Sequence, residues 1–173
     1  MKKKLFALIM AAALTFSLVG CAKDGENGTA SSSGAGSSQN VKTPMSKDDY
    51  LKAVDGLNSA SQGFLDSLNA FIADGGNNVE SLLEDIRASK QPFIDFADID
   101  NPPEEYQEAH APLAESSRDF GEVIEKCADL FQSLWDDKIT TEEYDQQVNA
   151  LMTELQGVLD QLGKNYSAVV NIK

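Results

Sequence analysis

From Ser46 onward the apolar positions of the chain recur in alternating steps of three and four, the signature of helices with one buried face. In the first segment Tyr50, Val54, Leu57, Ser61, Phe64, Leu68 and Phe71 share a face, widened by Leu51 and Leu65. Ser46 with Asp49 three residues on is a capping-box-like start, with Asp where Glu is usual. Asp74-Gly75-Gly76-Asn77 ends the run, so the pattern predicts a helix near 46–73. A second is predicted near 78–97, with Val79, Leu82, Leu83, Ile86, Phe93 and Ile94 facing inward. Pro92 inside that run predicts a kink or an early end. A third helix is predicted near 102–136, with Asn101 as cap and Pro102 in its first turn. Its seam is Tyr106, His110, Leu113, Ser117, Phe120, Ile124, Cys127, Phe131 and Leu134, and Pro112 should bend its first third. Thr140-Thr141-Glu142-Glu143 is a capping box for a fourth helix near 140–170, on Tyr144, Val148, Leu151, Leu155, Val158, Leu162 and Val169. No useful length of chain alternates with the period of a half-buried strand. Four amphipathic segments with short connections predict an all-α fold, an up-down-up-down four-helix bundle. The 3.5-residue rhythm predicts crossing angles of about 20°.

The first 21 residues follow a different rule. Lys2, Lys3 and Lys4 form a positive start. Leu5–Val19 is an apolar run too short and too promptly ended to make a good membrane span. Leu18-Val19-Gly20-Cys21 follows, and this resembles the lipobox of bacterial prolipoproteins at every position: aliphatic, small or aliphatic, Gly or Ala, then Cys. The resemblance covers residues 1–21 only. It implies removal of residues 1–20 as a signal peptide, a diacylglyceryl group on the thiol of Cys21, and further acylation of the palmitate type. Membrane partnership would then run through lipid on Cys21, because two acyl chains anchor durably where one is marginal. The expected location is the extracytoplasmic side of the cell membrane.

Residues 22–45 are rich in Gly, Ser, Asn and Ala with no apolar period, which predicts a flexible linker. A coil of 24 residues reaches roughly 25–30 Å. Residues 46–173 are the remaining domain, and they carry the charge. The whole chain has 14 basic and 28 acidic residues, but the domain alone has 9 and 26, a net of −17. Such a surface repels nucleic acid and anionic headgroups and favours cationic partners.

Candidate chemistry is sparse. A di-iron bundle site needs two Glu-x-x-His pairs; the chain has one histidine, His110, and Gln107 stands three residues before it. No metal or cofactor is therefore expected, and His110 reads as a seam residue with polar partners near Pro112. Cys127, the one cysteine left once Cys21 is lipidated, reads as a small buried hydrophobe. The acids fall mainly on outward faces, and no Gly-x-Ser-x-Gly or phosphate loop is present. Gly56, Ala60, Gly63, Ser67 and Ala70 make a nearly side-chain-free stripe on the first helix. Glycine in a helix interior costs about 1 kcal/mol against Ala, so the stripe suggests the close approach of a neighbouring helix, or else a groove for a ligand or partner. Trp135 could close the end of the bundle or anchor a partner. Gly56, Gly63, His110 and Trp135 are thus the candidate ligand or partner surface.

The sequence reads as a non-enzymatic, lipid-anchored surface lipoprotein whose helical domain engages another envelope protein. The first alternative is an extracellular small-ligand or metal carrier, with a cavity near Pro92 and Pro112 lined by Phe93, Ile94, Tyr106 and His110. The second is an inhibitor or immunity-type lipoprotein that blocks a cationic partner.

Overall fold

The computed structural model describes residues 43–74 and 77–172. The expected signal peptide, Cys21 and all but the last three linker residues lie outside them. Among the described residues the fold is all-helical, without strands: α1 (Lys47–Asp74), α2 (Val79–Ala88), α3 (Gln91–Ala97), a 3₁₀ turn (Glu104–Tyr106), α4 (Gln107–Trp135) and α5 (Thr141–Val170). With a rise of about 1.5 Å per residue, the 28-, 29- and 30-residue helices α1, α4 and α5 are roughly 42–45 Å long.

The second expected helix is two helices, and the reason is Pro92. Its ring would meet the carbonyl four residues earlier, that of Ala88, and α2 ends at Ala88. The amides of Phe93 and Ile94 then bond to the Lys90 carbonyl at 3.0 and 3.2 Å, restarting the helix with proline in its first turn. The third helix also begins later than its pattern predicted. Asn101 does not cap it. Pro102 and Pro103 are buried, with Pro103 extended, and the 3₁₀ turn leads into α4. Pro112 lies inside α4, and its carbonyl accepts a hydrogen bond from Asn165 Nδ2 of α5 at 2.8 Å.

The helix ends follow capping chemistry. Ser46 Oγ accepts from the Asp49 amide at 3.1 Å. The Asp74 carboxylate accepts from the amides of Asn77 and Asn78 and so joins α1 to α2. Thr140 and Glu143 form the complete capping box of α5. At the end of α4, Asp137 takes a left-handed backbone (φ 56°), while Lys138 N bonds to Ser133 O and Asp137 N to Leu134 O. These paired bonds satisfy carbonyls that the helix end would leave open.

The core is the predicted seam. Tyr50, Val54, Leu57, Phe64 and Phe71 of α1 are buried, as are Leu113, Phe120, Ile124, Cys127 and Phe131 of α4. Leu68, Leu134, Val148 and Val158 are half-buried. In α5 Leu159 is buried where the strict heptad had pointed to Val158. An α-helix has 3.6 residues per turn, so a straight one drifts off a 3.5 repeat. α4 and α5 lie alongside each other, and α3 and α2 also lie on α4, with α1 against α2 and α3. Ring contacts set the directions. Phe64 meets Phe120 at 5.6 Å and Phe71 stacks on Phe131 at 4.6 Å, so α1 and α4 run the same way. Tyr144, at the start of α5, meets Phe131 near the end of α4, so those two run oppositely.

Candidate functional site

The most developed polar arrangement in the core is at the end where α1 and α4 begin. His110 is buried against Tyr50 and Phe96, and Tyr50 in turn meets Tyr106. Its Nε2 lies 2.8 Å from the Ile99 carbonyl, which can only accept, so Nε2 carries the proton. Nδ1 of the neutral ring is then free to accept from the Tyr50 hydroxyl at 3.2 Å. Burial lowers the pKa of His110 and pushes the Tyr50 phenol up to about 12. Both side chains are therefore held uncharged near neutrality, which suits a clamp joining α1, α4 and the 98–100 loop better than proton transfer.

The same loop holds the chain that enters the domain. Met45 N donates to Asn101 O at 2.8 Å, and Asn101 Nδ2 donates to the carbonyl of Thr43. The last residues of the predicted linker are thus strapped to the domain, and Met45 packs partly against the core. Lys47, at the start of α1, lies 5.4 Å over the Tyr106 ring and pairs with Glu105 at 3.6 Å.

The other candidate positions are dispersed. Gly56 and Gly63 are exposed, and a Cβ at either would meet nothing within 4 Å. At these two positions no neighbouring helix comes close, whereas Ala60 of the same stripe packs partly against the core. The close approach occurs at Gly121 of α4, where a Cβ would come within 3.0 Å of Ile94 Cδ1. The only sequence signal for it was a small residue four positions after Ser117, on the buried side. Trp135 is half-buried at the far end, packed against the core. Cys127 is buried and free, and burial pushes its thiol up to about 12. A thiol held protonated makes a poor nucleophile.

At the residues where the carrier alternative placed a cavity, Phe93 meets Phe120 at 4.6 Å and Tyr106 meets Tyr50 at 4.9 Å. A cleft of about 30 Å³ lies instead between α1 and α5, lined by Leu57, Ser61, Leu162 and Tyr166, whose hydroxyl donates to Asp55 at 3.4 Å. Between α2 and α4, Arg87 bridges Glu125 at 3.1 Å and Asp129 at 3.0 Å, and Lys90 also pairs with Glu125. These cations hold the Glu125 carboxyl below its ordinary range, Lys90 most strongly. The pairs join elements far apart in sequence, so no local pattern announced them. Among the described residues no three of His, Cys, Asp and Glu are grouped to hold a metal ion, and no helix is long and apolar enough to cross a membrane. Comparison with known protein families, with characterised proteins and with solved structures finds no match.

Proposed function

We propose that the chain is a lipoprotein held by lipid on Cys21 to the outer side of the cell membrane, and that its acidic domain is a non-enzymatic interaction module on a tether. The observation that carries this reading is the N-terminal lysine–apolar–Leu-Val-Gly-Cys sequence, followed by a Gly/Ser-rich stretch. The domain is read as an up-down-up-down four-helix bundle in which α2 and α3 together make the second member. The opposed directions of α4 and α5 and the shared direction of α1 and α4 support that topology. The interaction reading draws support from a core filled by its own side chains. His110, Tyr50 and Cys127 are buried in uncharged forms, as structural groups are. The α1–α5 cleft, at about 30 Å³, lends the small-ligand alternative little support, while the open depression of about 400 Å³ between α4 and α5 reaches the lower part of the roughly 300–1,000 Å³ usual for ligand pockets.

The test is membrane partition. In cells the unaltered chain should sediment with membranes and take up labelled palmitate. Cys21→Ser should abolish the label and prevent maturation to Cys21–Lys173. Labelling that persists in Cys21→Ser would sink the anchor assignment.

A further inference from the structure

Ile99 and Asn101 stand two residues apart in one loop, and each carries half of a linkage. The Ile99 carbonyl accepts from Nε2 of the buried His110. Asn101 holds the entering chain twice: its carbonyl accepts from the Met45 amide, and its side-chain amide donates to the Thr43 carbonyl. On its upstream side the loop is pinned separately, because Arg118 donates to the Ala97 carbonyl and pairs with Asp98. On its downstream side it runs into the buried Pro102 and Pro103. Between these fixed points the loop is tied to the core through His110.

That tie is sensitive to one proton. In the neutral ring Nδ1 accepts from the Tyr50 hydroxyl. An added proton lands on Nδ1 and turns the acceptor into a donor, so the hydroxyl loses the atom it donates to. The neighbours on the ring do not welcome a cation. From α1 it meets Tyr50, which burial keeps a neutral phenol, and from α3 it meets Phe96. The charged groups of the surrounding elements are turned elsewhere. Lys47 lies over the Tyr106 ring and pairs with Glu105, and Asp49 accepts from Ser46. Asp98, Asp100, Glu104 and Glu108 are exposed. A buried charge without a partner is costly, and lifting the loop bonded to the ring lets water reach it.

We infer that His110 and the 98–101 loop form an acid-sensitive latch on the entering chain: protonation of His110 releases Ile99 and, with it, the hold of Asn101 on Thr43 and Met45. At neutral pH the chain is strapped to the domain from Thr43 onward. In acid the strap opens, α1 becomes the first fixed element, and the domain hangs on a longer tether. The latch itself does not depend on lipid at Cys21. Only its consequence, a domain that stands differently on a membrane, rests on the anchor reading.

The experiment follows amide exchange by nuclear magnetic resonance in the full chain as its own cells make it, purified in mild detergent. Once the latch opens, the ring is solvated and takes its ordinary value of 6.5. One proton then makes opening about tenfold more frequent at pH 5.5 than at pH 7.5. Protection of the Met45 amide, corrected for the intrinsic rate, should fall by that factor and stay below that of the Phe131 amide at both pH values. Unchanged protection at Met45 would overturn the latch. So would protection equal to that of Phe131, because the strap would then open only with the whole bundle. His110→Gln keeps an N–H for Ile99 and has no titrating ring, so it should abolish the pH step; a step that persists assigns it to another group and overturns the inference. Asn101→Ala leaves His110 in place and weakens the strap. Because the coupling is reciprocal, it should raise the pKa of His110, read from its ring signals, toward the ordinary value. An unmoved His110 titration in Asn101→Ala would show that ring and strap are uncoupled, whatever the fate of His110→Gln.

Discussion

The two ends of the helical domain are held by different physics. Where the chain enters, α1 and α4 are joined through polar atoms: Tyr50 to His110, His110 to Ile99, and Asn101 to Thr43 and Met45. At the opposite end the same two helices meet through Phe71 stacked on Phe131, with Tyr144 of α5 against the latter. A buried polar contact is directional and fails sharply when one partner is lost. Apolar contact is non-directional and scales with the area removed from water. The entry end should therefore respond to single atoms and to pH, and the far end to volume.

The largest effect is expected at the far end. Phe131→Ala removes a ring that meets both α1 and α5, and should cost about 3–5 kcal/mol, read as a lower urea midpoint. At the entry end Tyr50→Phe keeps the ring and deletes one oxygen. It leaves His110 Nδ1 without the bond it accepts and should cost about 1–3 kcal/mol in the same measurement. A loss as large as that of Phe131→Ala would erase the contrast. Thr140→Ala breaks the capping box of α5 and should cost about 1 kcal/mol, visible as fraying of the first turn in amide exchange.

Acid should sharpen the comparison. The folded pKa of His110 lies below its ordinary value of 6.5, mainly through burial. Below pH 6.5 the unfolded chain then binds the proton that the folded chain refuses, so stability falls as pH falls, until the folded value is reached. His110 is the chain's single histidine, so a fall between pH 6.5 and 5 is its signature. Glu125 and Glu143, whose carboxyls are lowered below 4.5, lose their contributions only at more acid pH. An unchanged urea midpoint between pH 7 and 5 would mean that the ring is solvated. Amide exchange at pH 5.5 should show earlier opening around Tyr50 and Ile99 than around Phe71 and Phe131.

How far the molecule was legible depended on the range of the signal. The seams of α1 and α4 could be read residue by residue, because burial of one face repeats with the helix itself. Thr140-Thr141-Glu142-Glu143 was legible because a capping box closes within four residues. Pro92 signalled the break, but its position at Ala88 follows from the reach of the proline ring back along the chain. What could not be read was whatever depends on how two helices meet. The small residues at Gly56 and Gly63 face open space, while Gly121 admits Ile94, and composition alone does not separate the two cases. Asn101 looked like a cap because it precedes prolines. Its side chain instead takes the carbonyl of Thr43, 58 residues earlier. The Lys126–Glu154 pair and the depression it spans likewise depend on the rotational setting of α4 against α5.

The most direct test of the central claim is native mass spectrometry of the chain extracted from its own membrane in mild detergent. The account predicts a mass equal to Cys21–Lys173 plus acyl chains, with no small molecule retained under native conditions and lost on denaturation. A chain that still carries residues 1–20 without lipid, or one that releases a bound small molecule on denaturation, would contradict it.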